Sequence, residues 1–133
     1  MEVSQSRSRG GGDGHVRFEG LTIVSDQRKK EVLHNHQNVI ENFHHLNPVM
    51  YRDLGDGTIR SGFIAQEIEK IIPEVVHITS NGEYDDWRAV DYNQIIPYNT
   101  AAIKDLIIEN NLLKDKNKEL EDRLKLIEEK LGL

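Results

Sequence analysis

The stretch AAIKDLIIENNLLKDKNKELEDRLKLIEEKLGL, residues 101–133, decides the architecture. Within it Ile103, Leu106, Asn110, Leu113, Asn117, Leu120, Leu124, Ile127 and Leu131 recur in alternating steps of three and four. That is a heptad a/d stripe on one long helix. The flanking charges agree with it. Glu109 with Lys114, Lys116 with Glu121, and Arg123 with Glu128 each set a g position against the next e position with opposite sign. This offset pairs parallel neighbouring helices, and Asn110 and Asn117 at a positions fix register at some cost in stability. The charged tail from Lys114 onward has little chain left to pack against, so the helix is expected to assemble with copies of itself. Whether two or three strands wind together is left open by these residues.

Composition points the same way. Of 133 residues, 37% are hydrophobic and 30% charged, which is lean for one self-sufficient domain. A core completed by neighbouring chains removes that difficulty. There is no cysteine, which excludes disulfide scaffolds, thiolate metal sites and thiol nucleophiles. Seventeen basic against twenty-three acidic residues give a net charge of -6, so the surface repels nucleic-acid phosphates on average. No basic region precedes the heptads at Ile95–Ala102, as a coiled-coil DNA-binding protein requires. No unbroken apolar run reaches the length of a membrane span, and Met1–Gly14 lacks the apolar stretch of a signal peptide.

Ahead of the long helix the periodicities change quickly. Ser4–Gly14, SQSRSRGGGDG, is too polar to order itself and reads as a linker or tail. Val16–Val24 alternates with period two around Gly20, as a strand with a bulge does. From Arg28 to Leu46 the apolar residues Val32, Leu33, Val39, Ile40, Phe43 and Leu46 fall at helical spacing. Ser25 or Asp26 is placed to cap that helix, and Asn47-Pro48 to stop it. Val49–Arg52 and Ile59–Ile64 read as a hairpin around the turn Leu54–Thr58. Ala65–Ile72 reads as a helix ending at Pro73. Val75–Ile78 and Trp87–Tyr92 read as a second strand pair. The expected fold class is α+β, mainly helical: a small helix/hairpin unit followed by the long C-terminal helix.

Few residues offer chemistry. His34 with His36 and His44 with His45 diverge if they lie on a helix, so no metal site is expected. Asp53–Gly57 lacks the alternating oxygen ligands of a calcium loop, and Asp53, Asp56, Glu83, Asp85 and Asp86 suit local turn hydrogen bonds instead. Ser25-Asp26-Gln27-Arg28-Lys29-Lys30 stands apart, because an alternating segment runs into a serine and a lysine follows five residues on. A hydroxyl becomes a competent nucleophile once an amine base removes its proton. The plain alternative is a helix N-cap with basic residues on a wet face.

From Ser25 nearly to its end the chain resembles the intramolecular chaperone auto-processing domain of phage tail spikes, tail fibres and neck appendages. Ser25-Asp26-x-Arg28-x-Lys30, Pro48-Val49-Met50-Tyr51 and Gly62-Phe63-Ile64-Ala65-Gln66-Glu67-Ile68-Glu69 carry the resemblance. Ile72-Pro73-Glu74-Val75-Val76, and Val90-Asp91-Tyr92 with Ala102-Ile103-Lys104-Asp105-Leu106, complete it in the same order. The resemblance implies a homotrimer whose C-terminal helices form a parallel trimeric coiled coil and whose smaller elements grip the end of an upstream β-stalk of the same polypeptide. It implies a serine–lysine peptidase acting once in cis, with Ser25 as nucleophile, Lys30 as general base, and Asp26 and Arg28 in support. The bond cut is then Val24–Ser25, with Ser25–Asp26 the other possibility. No cofactor, membrane or nucleic-acid partner is implied. The setting is the cytoplasm of an infected host during assembly, with release from the mature virion protein.

The chain departs from the family pattern at Lys29, where an apolar residue is usual, so two lysines compete for the base role and spacing favours Lys30. Glu31-Val32 is not the commonest continuation either, which points to slow or conditional cleavage with trimerisation unaffected. Residues 1–24 are expected to be a tail and the end of the stalk strand, 25–100 the chaperone body, and 101–133 the trimerisation helix. The competing reading is a non-catalytic trimerisation module in which Ser25 only caps a helix.

Overall fold

The computed structural model describes residues 19–133, and the polar tail and the first half of the expected N-terminal strand, Val16 and Phe18 included, lie outside the described residues. The fold is mixed α+β, a small unit of short helices and two hairpins followed by one long helix. In chain order the elements are α1 (Ile40–Phe43), β1 (Val49–Arg52), β2 (Ile59–Gly62), α2 (Ala65–Glu69), β3 (Val76–Thr79), β4 (Trp87–Val90) and α3 (Tyr92–Leu131). Two 3-10 turns, Gln27–Lys29 and Pro73–Val75, complete them.

Each hairpin is an antiparallel pair standing by itself. In the first, Val49 faces Gly62 and Arg52 faces Ile59. Its connection is built by aspartates, as the sequence suggests. The Asp53 carboxylate accepts the Gly55 N–H, and Asp56 Oδ1 accepts both the N–H and the hydroxyl of Thr58. Gly57 supplies the left-handed backbone at φ 76. The Arg60 guanidinium then bridges the two carboxylates. In the second hairpin Val76 faces Val90 and Thr79 faces Trp87. There the Asn81 side chain accepts the N–H groups of Glu83 and Tyr84.

The helix expected over Arg28–Leu46 is not formed. Its place is taken by the 3-10 turn Gln27–Lys29, an irregular stretch and the single turn α1. The cause is local. Asp26 closes a tight turn instead of opening an α-helix, Asn38 adopts the left-handed region at φ 56, and only Phe43 and Leu46 reach the core. Val32 and Leu33 stay 76% and 83% exposed, so the periodic stripe had nothing to pack against. The extended chain brings His34 and His36 together, ring centroids 5.5 Å apart, while the adjacent His44 and His45, in the helical turn that ends α1, have theirs at 3.8 Å. Side chains two residues apart share a face when the backbone is extended.

The two hairpins, the helix before Pro73 and the long C-terminal helix form with shifted ends. β2 stops at Gly62 and Ile64 precedes α2 as its N-cap residue. The Ile72 N–H still bonds to the Ile68 carbonyl, so the helical winding runs on to the expected Pro73 stop. Leu21–Val24 forms no strand and has no partner strand among the described residues. A lone strand has no ladder to satisfy its backbone.

The core is small. Ile68, Ile72, Val75 and Ile95 are buried together, with Phe43, Leu46, Phe63, Ile71, Val76, Val90 and Tyr98 packed around them. Ile95 is the contribution of α3, so the first turns of the long helix belong to the body. Asp91 caps α3 by accepting the Asn93 N–H, and Gly132, left-handed at φ 73, ends it. A helix of 40 residues is about 60 Å long, far beyond the reach of so small a core.

Candidate functional site

The segment from Val24 to Lys30 is organised by Asp26. Its carboxylate accepts the Arg28 backbone N–H at 2.8 Å and is gripped by the Arg28 guanidinium through Nε at 2.9 Å and Nη2 at 2.8 Å. The Lys29 and Lys30 N–H groups bond back to the Asp26 and Gln27 carbonyls, both at 3.1 Å. This turn reverses the chain, and Lys30 leaves it extended. Five residues apart in sequence, the Lys30 ammonium and the Ser25 hydroxyl are thereby brought together, Nζ donating to Oγ. The helix-cap role falls to Asp26, and the Ser25 hydroxyl is engaged by Lys30.

The electrostatics follow from this geometry. The Arg28 side chain, and secondly its backbone N–H, hold the Asp26 carboxyl below its ordinary value, while Asp26 raises Arg28. Both groups are well exposed, so the pair shapes the turn more than it stabilises the fold. Val24, at 54% exposed, and Ser25 lie open on the surface, as does Lys30. Of the two adjacent lysines, Lys30 is the one that meets Ser25.

A second feature lies between the hairpins. Tyr51, Phe63, Tyr84, Trp87 and Tyr92 line an open groove of about 700 Å³, with Arg88 among its polar residues. Tyr84 stacks on Trp87 with ring centroids 5.9 Å apart, and Phe63 on Tyr92 at 6.0 Å. Arg88 is fixed by the Glu69 carboxylate. Among the described residues no three histidine, aspartate or glutamate side chains cluster to hold a metal ion, and no helix is long and apolar enough to cross a membrane.

The long helix presents two faces. Its apolar a/d residues, Ile103, Leu106, Leu113, Leu120, Leu124, Ile127 and Leu131, are each between 51% and 68% exposed. On the other side Tyr98, Ala101 and Asp105 face the body: Tyr98 joins the core, Ala101 is buried and Asp105 accepts the Val39 N–H at 2.9 Å. Sequence reasoning missed this inner face. Tyr98, Ala101, Asp105, Ile108 and Leu112 do recur in steps of three and four, in c and f positions. A tyrosine, an alanine and an aspartate dilute the apolar signal below that of the a/d stripe.

A serine–lysine turn, two short hairpins and a long helix with an open heptad face make up the described chain. Residues 25–77, a stretch that begins at Ser25, match the protein family described as "Chaperone of endosialidase". A relative is the long tail fiber protein Gp37 of Salmonella phage S16, 32% identical over 124 residues. The alignment covers 87% of this chain and 16% of the length of that protein.

Proposed function

We propose that this chain is an intramolecular chaperone that trimerises and folds the upstream β-stalk of a phage tail protein and then releases itself by one autoproteolytic cut at Ser25. The observation that carries the reading is the meeting of the Ser25 hydroxyl with the Lys30 amine, at the residue where the family match begins. The tail-fibre relative supports a virion-assembly setting, in the cytoplasm of an infected host.

Each part of the chain has a role in this reading. Residues 1–24 are the end of the client stalk, 25–100 the chaperone body, and 101–133 the trimerisation helix. Three copies bring their a/d faces together in parallel, burying the half of each leucine and isoleucine still exposed for roughly 1 kcal/mol each. The hairpins, with the aromatic groove between them, contact the stalk.

For cleavage the Ser25–Lys30 pair works with Lys30 as the neutral amine. Ser25 Oγ bonds to the Val24 carbonyl carbon as its proton passes to Lys30 Nζ. Collapse of the adduct breaks the Val24–Ser25 C–N bond, and Lys30 returns the proton to the departing Ser25 nitrogen. The resulting ester is hydrolysed by water, leaving a carboxylate on Val24 and a free amine and hydroxyl on Ser25. Because nucleophile and scissile bond share one residue, no separate substrate pocket is required. Asp26 and Arg28 hold the turn that brings Lys30 back. A cut at Ser25–Asp26 is the variant outcome.

Mass spectrometry of the purified 133-residue chain tests this. A fragment beginning at Ser25 is expected in wild type and absent in Ser25→Ala and Lys30→Ala. A wild-type chain that stays whole as an assembled trimer overturns the peptidase reading and leaves a non-catalytic trimerisation module.

A further inference from the structure

The Ser25–Lys30 pair is exposed and lies on a short turn. Its reactivity therefore depends on where the segment is held. After Lys30 the chain runs without regular structure to Asn38. The first hydrogen bond it then makes to another element is from the Val39 N–H to Asp105 Oδ2, at 2.9 Å and partly buried. Beside it the His36 ring lies 4.2 Å from the ring of Tyr98, and the Tyr98 hydroxyl donates to Glu74. Val39 sits at the start of α1, which has no side-chain cap of its own, so Asp105 satisfies a backbone donor that would otherwise be orphaned.

Asp105 and Tyr98 occupy c positions of the heptad. At about 100° per residue the c/f side is roughly 160° from the centre of the a/d stripe. The same helix thus holds, with one face, the chain that leads on from the Ser25–Lys30 turn and leaves the other free for neighbouring copies. We propose that Asp105 is a positioning residue for self-cleavage: it moors the segment bearing Ser25 and Lys30 to the inner face of α3, so that the reactive pair is presented only once the long helix has formed. This rests on the cleavage reading above. Asp105 touches no reacting atom. Its loss leaves the serine–lysine turn intact but frees the segment that carries it, and an unanchored reactive group loses the advantage of fixed orientation.

The test follows single-turnover release of the Ser25 fragment in the 133-residue chain with Asp105→Leu and Asp105→Asn. Leucine removes the acceptor, while asparagine keeps a carbonyl oxygen for the Val39 N–H. Asp105→Leu is expected to slow release by about tenfold, with helicity and sedimentation unchanged, and Asp105→Asn to restore the rate to within about twofold. Wild-type kinetics in Asp105→Leu, equal slowing in both variants, or loss of assembly in Asp105→Leu each overturn the proposal. A wild-type chain that never cleaves strikes the peptidase reading itself. The mooring is then judged in the Ser25→Ala background by hydrogen exchange at the Val39 amide, which Asp105→Leu should accelerate; unchanged exchange overturns it there.

Discussion

The Tyr92 hydroxyl accepts the Phe63 backbone N–H at 2.9 Å, and Gly62 stands so close that a Cβ on it would lie 2.5 Å from that oxygen. The first residue of the long helix is thus pinned to the end of the first hairpin at a point where only a hydrogen side chain fits. Gly62→Ala should displace the Tyr92 ring, break the hydrogen bond and lower stability by about 1–3 kcal/mol. Thermal unfolding of Gly62→Ala, Tyr92→Phe and the double variant checks it. The glycine substitution should cost less once the hydroxyl is gone, and strict additivity would refute the contact as the cause.

That contact illustrates what the sequence could and could not convey. The hairpins were legible because Asp53, Asp56, Gly57, Asn81 and Gly82 act on their own neighbours. The long helix was legible because nine a/d positions repeat one signal. The segment 28–46 was misread because periodicity records where apolar residues lie, and cannot say whether a surface exists to receive them. Val32 and Leu33 have none in the single chain, while Asn38 turns the backbone out of helical space. The Ser25–Lys30 spacing was visible, and the turn that gives it meaning was half visible in Asp26. The contact made by Asp105 was invisible because its partner is a backbone N–H 66 positions away.

The turn of the first hairpin carries a titration prediction. Asp56 is held down from 3.8 to about 2, chiefly by the Thr58 hydroxyl, then by the Thr58 N–H, against opposing desolvation and with Arg60 assisting. A carboxyl lowered in the folded state contributes stability that is complete above the unfolded value and is lost as pH falls through the folded one. The window therefore runs from about pH 4 down to about pH 2. Carboxyl-carbon NMR should place the Asp56 midpoint near the lower end. Thr58→Val should raise it more than Arg60→Met, since the hydroxyl is the larger cause. A midpoint at the ordinary value in wild type would contradict this arrangement.

Pro97 lies inside α3, beyond its first turn, and is exposed. It has no N–H to give the Asn93 carbonyl, and its ring crowds that turn. Pro97→Ala restores the hydrogen bond at a position where little packing is lost. An increase in stability of about 1–3 kcal/mol is expected, read as a higher midpoint in urea unfolding. A destabilised variant would mean that the proline ring makes a packing contribution that outweighs the missing bond.

Leu126 and Ile127 offer the sharpest test of self-assembly, because they are neighbours with nearly equal exposure, 56% and 51%. On an isolated helix a lysine at either position has much the same consequence. In a parallel heptad assembly they differ completely, since Ile127 is a d position and Leu126 a c position. Ile127→Lys places a charge from every copy in the common seam and forfeits roughly 1 kcal/mol of apolar burial per chain before any charge repulsion. Leu126→Lys leaves the side chain in water. Sedimentation equilibrium at micromolar concentration should find Leu126→Lys assembled like wild type and Ile127→Lys dissociated, with a melting temperature that no longer depends on concentration. Equal behaviour of the two variants would show that the a/d stripe is not the assembling face.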